Sequence, residues 1–259
     1  MKDFDADRAA VIKRAINKLV LKFIEVGDDL ETSQKAVKLA QEWPTIIYAA
    51  VGVHPHKAVE VDTKLIGKMK ELARQKGVVA IGEIGLDYAT KKPPLLPMNI
   101  KEKNLQAAAF ESQLHLAREL NLPVIIHCRD AYEDVLKILT AFKKEAKEYN
   151  LRGVVHSFAG TVAIAQGFID LGLIISFTAN ITYPNRPESV RQVIEQISLD
   201  KMLVETDAPF LPPQSLRGTR NEPSYVLETV AEIAIVKGIS LDEVESRTTQ
   251  TAQFLFGIE

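Results

Sequence analysis

Residues 78–88 read VVAIGEIGLDY and residues 122–131 read LPVIIHCRDA. Each is a short, β-branched apolar run that stops on a residue capable of chemistry, Glu83 in the first and His127 in the second. An apolar run without polar alternation means a strand buried on both faces, as in a parallel sheet covered by helices. Outward from this pair, runs of the same kind occur at 21–26 (LKFIEV), 46–53 (IIYAAVGV), 153–158 (GVVHSF), 173–177 (LIISF) and 202–206 (MLVET). Segments of helical period separate them, at 30–41, 62–76, 105–120 and 131–149. This alternation predicts an α/β fold, a TIM-type (β/α)8 barrel with about seven strands visible. Residues 5–19 read as a helix. In a strand-first alternation, a leading helix implies that the first strand is missing. An open doubly wound sheet is the competing architecture. The 259 residues suit a single barrel domain spanning 1–259.

Composition narrows the function classes. With 46% hydrophobic residues the chain has enough apolar material for a sizeable core. A net charge of -2 argues against a protein that coats nucleic acid non-specifically, but permits one that grips a few phosphates locally. The single cysteine, Cys128, forms no internal disulfide, follows a strand, and reads as a small packing residue. No stretch approaches the roughly 20 apolar residues of a membrane span. The charged N-terminus lacks the pattern of a signal peptide. A cytoplasmic, monomeric protein without membrane contact is expected.

The strand ends carry the chemistry. They hold His54 and His56 (GVHPH), Glu83, His127, His156 (VVHSF) and Asp207 (VETDAP), so only His115 of the five histidines falls in a helix. In a (β/α) barrel all C-terminal strand ends meet at one rim, where active sites form. Imidazole and carboxylate are the donors that divalent metals take. Singly, a histidine after a buried strand is more often a hydrogen-bonded core residue. A glutamate ending an apolar strand is costly without a cation or donors. The set at one rim therefore weighs more than its members. His115 reads as a packing or surface histidine. Arg129 follows His127 toward the same rim. Arg217 and Arg220 can clamp a phosphate by their planar forks, or equally pair with Glu222 or another carboxylate. Lys91 and Lys92 lie in a Pro-rich loop and read as solvated or phosphate-facing.

The blocks GVHPH (52–56), GEIGLDY (82–88), LPVIIHCRDA (122–131), HSFAG (156–160), ETDAPFL (205–211) and RNEPSYV (220–226) resemble, in order, those of the TatD deoxyribonucleases. FDADRAAVIKRA near the start is similar to that family's first helix. The resemblance implies an amidohydrolase-superfamily barrel cleaving phosphodiester bonds in DNA, single-stranded or at ends, with one or two divalent ions (Mg, Mn or Zn). It makes Glu83 the bridging ligand and His127 and His156 ligands of one metal. Asp207 becomes a ligand of the other and the proton acceptor in catalysis. It also makes His54 a contact to substrate phosphate, with Arg129 and Arg220 as further substrate-binding residues.

Three departures bear on this. The family begins with a strand ending in His-x-His, whereas this chain has no histidine before His54. The implied expectation is a start that falls just after that strand, one well-held ion and reduced activity. The tyrosine loop, DYATKKPPLLPMN, is long, and Thr251 stands where asparagine is usual. Two alternatives stay open: a related hydrolase of small esters, lactones or amides, and a barrel that binds metal or nucleic acid without catalysis.

Overall fold

The computed structural model describes residues 2–89 and 98–258; Lys91 and Lys92 lie outside the described residues. The elements follow in the order α1 (Arg8–Asn17), β1 (Phe23–Val26), α2 (Leu30–Glu42), β2 (Ile47–Val51), α3 (Thr63–Ala73), β3 (Val78–Asp87) and α4 (Ile100–Leu120). Then come β4 (Val124–Arg129), α5 (Tyr132–Glu145), β5 (Gly153–Val155), α6 (Val162–Asp170), β6 (Leu173–Phe177), α7 (Glu188–Gln196), β7 (Met202–Val204), α8 (Val226–Lys237) and α9 (Leu241–Phe256). All seven expected strands are present among the described residues, in the strand–helix alternation of the TIM-type α/β class. The leading helix is shorter than its pattern, and β3 is longer, running on past the apolar run to Asp87.

The chain divides into two compact units. One takes Ile24–His156 and Asp170–Leu173, the other Met1–Phe23, Ser157–Ile169 and Ile174–Glu259. In the first, β2, β3, β4 and β5 pair in parallel, with Ala50 opposite Ala80, Gly85 opposite His127, Asp87 opposite Arg129, and Ile126 opposite Val155. Parallel strands are apolar on both faces because helices cover both. Accordingly Ile81, Ile84, Leu86, Val124 and Ile126 are fully buried, with Phe110 and Leu114 of α4. Each such side chain contributes about 1.5–3 kcal/mol of burial.

Local sequence sets the helix starts. Asp29 accepts from the Thr32 backbone N–H at 2.7 Å and Thr32 returns the contact, a capping box that starts α2. Asn99 and Glu102 start α4 the same way. Two buried glutamines then tie α4 to strand ends. Gln113 accepts from Val53 N–H at 2.7 Å and donates to Val53 C=O at 3.0 Å. Gln106 does the same for Asp87, at 2.9 and 3.0 Å.

In the second unit β6 and β7 pair in parallel, with Ser176 opposite Leu203. The core there includes Phe177, Val193, Ile194, Met202 and Ile233. Among the described residues no helix is long and apolar enough to cross a membrane.

Candidate metal centre

Glu83 sits within β3, where the backbone at Gly82 and at Gly85 leaves no room for a side chain. A side chain at Gly82 would meet Ile125 Cβ at 2.5 Å, and one at Gly85 would meet the His127 carbonyl oxygen at 2.0 Å. Gly85 also holds φ at +141°, which L side chains rarely adopt. The register shifts between Ile81 and Ile84, as a bulge does when it re-aims a side chain. These glycines let β3 lie against β4 with Glu83 facing the histidines.

Three imidazoles converge on one oxygen of that carboxylate. Glu83 Oε1 lies 2.6 Å from His127 Nδ1, 3.7 Å from His156 Nε2 and 3.8 Å from His54 Nε2. All four residues belong to the first unit and all are partly buried. His54 is oriented from behind, because its Nδ1 accepts the His56 N–H at 3.2 Å as the chain enters the turn at Pro55–Glu60.

Asp87 and His56 complete the cluster. Asp87 Oδ2 lies 3.1 Å from His127 Nε2 and 2.8 Å from His56 Nε2. His127 thus spans two carboxylates, one on each ring nitrogen. Asp87 is not among the residues that the sequence pattern singles out, and His56 carries no assigned role there. The signal for Asp87 was present: strand period 2 puts residues 83, 85 and 87 on one side. Among the described residues, two groups offer one ligand atom per residue within metal-binding reach, His54–Glu83–His127 and His54–His56–Asp87.

The electrostatics follow from the packing. Burial pushes the Glu83 carboxyl up, but the neighbouring His156, His127 and His54 outweigh it and hold the group down at about 2. Asp87 is likewise held at about 2 against burial, by the His127 hydrogen bond and the Ala89 backbone N–H. Burial lowers His127, yet its bonds to Asp87 and Glu83 raise it above the ordinary imidazole value. His54 goes the other way, pushed down to about 4 by burial despite the pull of Glu83. The result is an ionised carboxylate pair around one proton-holding imidazole, beside a second that stays neutral. Imidazole and carboxylate are the donors that divalent ions take, and an ion must displace the protons that they hold.

Arg129 ends β4 and is exposed. Cys128 is buried and its thiol is pushed up by that burial, in keeping with packing. His115 packs edge-on against Phe142. Asp207 belongs to the second unit, where its carbonyl accepts the Phe210 N–H at 2.6 Å in the turn after β7. Two residues earlier, Glu205 Oε1 takes the Ser157 N–H at 2.7 Å and the Ser176 hydroxyl at 2.8 Å.

Arg220, also in the second unit, forks onto Asp7 at 2.9 and 2.7 Å, reaches Glu222 at 3.1 Å, and lies over the Phe4 ring. Arg14 grips Glu222 from the other side at 2.9 and 2.7 Å. Carboxylate pairing, one of the two readings open for Arg220, is therefore present. Arg217 stacks over Tyr183 at 4.3 Å.

Comparison with known proteins adds the family. The model of TatD related DNases matches residues 1–257. The chain is 39% identical over 255 residues to the metal-dependent hydrolase YabD of Bacillus subtilis, covering 98% of this chain and 94% of YabD. It is 34% identical to the 3'-5' ssDNA/RNA exonuclease TatD of Erwinia amylovora, covering 98% of this chain and 95% of that protein. Among solved structures it resembles YJJV, a TatD homologue from Escherichia coli, with a TM-score of 0.88 and 28% identity. That likeness covers 100% of this chain and 95% of YJJV. The chain belongs to the TatD-related DNase family of metal-dependent hydrolases, with its TIM-like α/β fold.

Proposed function

We propose that this TatD-family hydrolase cleaves phosphodiester bonds of DNA, single-stranded or at ends, and that residues 1–259 act as one barrel. The observation that carries the reading is the convergence of His54, His127 and His156 on Glu83 Oε1. Glu83, His127 and His156 would hold one divalent ion, Mg, Mn or Zn. The donor set fits it: two imidazoles and a carboxylate already ionised by its surroundings. Asp207 would be a ligand of a second ion, held more weakly because so few protein donors serve it.

When bound, a divalent ion supplies Lewis-acid polarisation of a phosphoryl oxygen and acidifies water for attack. The chain's own residues do the rest. Asp207 accepts the proton of the attacking water. His54, neutral by burial, donates from Nε2 to a phosphate oxygen, its Nδ1 being taken by the His56 N–H. Arg129 adds a charge-assisted contact to the scissile phosphate, and Arg220 joins by exchanging Asp7 for a phosphate oxygen. The protein acts as a monomer in the cytoplasm.

Digestion of end-labelled single-stranded DNA with Mg²⁺ or Mn²⁺, with EDTA, and with Glu83→Gln and Asp207→Ala in parallel tests this. Cleavage is expected only with metal, falling at least about 100-fold in each variant. Equal cleavage by wild type and both variants, or none by folded wild type, overturns the nuclease reading.

A further inference from the structure

Asp87 touches the metal centre without belonging to the proposed ligand set, and the fold invests heavily in where its carboxylate points. The residue is 1% exposed. Its backbone N–H and C=O are both held by the Gln106 amide, at 2.9 and 3.0 Å. Its Oδ1 accepts the Ala89 N–H at 2.9 Å. Oδ2 is left for two imidazole nitrogens, His127 Nε2 at 3.1 Å and His56 Nε2 at 2.8 Å. A buried carboxylate that a core glutamine and a backbone amide aim in this way acts on the ring it meets.

That ring is the critical one. His127 Nδ1 faces Glu83 at 2.6 Å, and its other nitrogen faces Asp87. An imidazole binds a metal through a bare nitrogen while its other nitrogen keeps a hydrogen. An acceptor placed at the second nitrogen decides which is which. Resting on the metal role proposed above, we infer that Asp87 is a positioning residue. It takes the Nε2–H of His127, so that Nδ1 is the nitrogen bared toward Glu83 and the metal. His56 bonds the same oxygen from the more exposed side, and so restrains the carboxylate rather than contacting the ion.

Two readouts separate this role from plain structural support. Zn²⁺ affinity of the whole chain is measured by competition with a chromophoric chelator. Imidazole ¹⁵N spectra report which nitrogen of His127 is protonated, with and without Zn²⁺. Wild type is expected to show His127 protonated at Nε2, with Nδ1 bound when Zn²⁺ is present. Asp87→Ala is expected to lose about 10–100-fold in Zn²⁺ affinity and the Nε2–H preference. Asp87→Asn keeps the shape and one acceptor oxygen, folds if the alanine variant does not, and should fall between. His56→Gln should cost less than Asp87→Ala.

Folded Asp87→Ala or Asp87→Asn with wild-type Zn²⁺ affinity and an unchanged His127 tautomer overturns the inference. If wild type itself takes up no Zn²⁺, the metal reading falls, yet metal-free spectra taken at alkaline pH, where the His127 ring has lost its second proton, still decide on Asp87. Loss of the His127 Nε2–H preference in the variants supports its orienting role, and identical spectra refute it.

Discussion

Asp29 shows how much one carboxylate can do away from the metal cluster. It caps α2 through the Thr32 N–H and pairs with Lys57 Nζ at 2.5 Å. Burial raises its pKa, but Lys57 and Thr32 outweigh that and hold it at about 2 against an ordinary 3.8. A depressed carboxylate adds stability above its unfolded pKa, and that stability is lost as pH falls through the folded value. The window is therefore between about pH 4 and pH 2. Asparagine caps a helix as well as aspartate, so Asp29→Asn removes the charge alone. Urea melts should show the variant less stable by about 1–2 kcal/mol at pH 6. The difference should vanish near pH 2, and a pH-independent one would mean that the charge has no role. In the cluster itself, His127 holds a proton between two carboxylates. Zn²⁺ must displace it, so uptake should weaken as pH falls through the imidazole range.

At the scale of elements, the close approach of β3 to β4 is what lets Glu83 meet His127. Gly85→Ala forces a side chain into the His127 carbonyl at a positive φ. Strain and overlap together should cost about 3 kcal/mol, with Zn²⁺ affinity falling in the same variant. Stability loss with intact Zn²⁺ affinity would detach the glycine from the site. Gln113 plays the same part for β2, by holding the backbone of Val53 next to His54. Gln113→Leu leaves a buried N–H and C=O unsatisfied, an expected loss of about 2–4 kcal/mol in urea unfolding. A loss below about 0.5 kcal/mol would show those groups finding other partners.

For the whole molecule, the division into two units sets the expectation for thermal unfolding. The His54–Glu83–His127–His156 cluster lies entirely in the unit that includes Ile24–His156. Metal that binds only the folded state stabilises by about 2.7 kcal/mol at a hundredfold excess over Kd. For a chain of this size that raises Tm by roughly 5–10 °C. In calorimetry, Zn²⁺ should move the whole trace if the units unfold together, and one component if they unfold apart. No shift in either component would place the metal-binding reading in error.

The sequence by itself determined the strands, their order and the parallel class, because a buried parallel strand has no polar face to disguise it. It also placed Glu83, His127 and His156 where three of the apolar runs give way to chemistry, although β3 and β4 continue past the first two, to Asp87 and Arg129. From that their convergence was predictable, since strand ends of such a fold meet on one side. What it could not carry was pairing between groups distant along the chain. Which nitrogen of His127 meets which carboxylate was decided by the turn of β3 past Gly85 and by a glutamine from α4. Arg220 read equally as a phosphate clamp or an ion-pair partner. Only the fold brings Asp7, more than 200 residues away, onto its guanidinium. Hydrophobic period is written in neighbouring residues, whereas hydrogen-bond direction depends on ångström-scale placement that only the packed chain supplies.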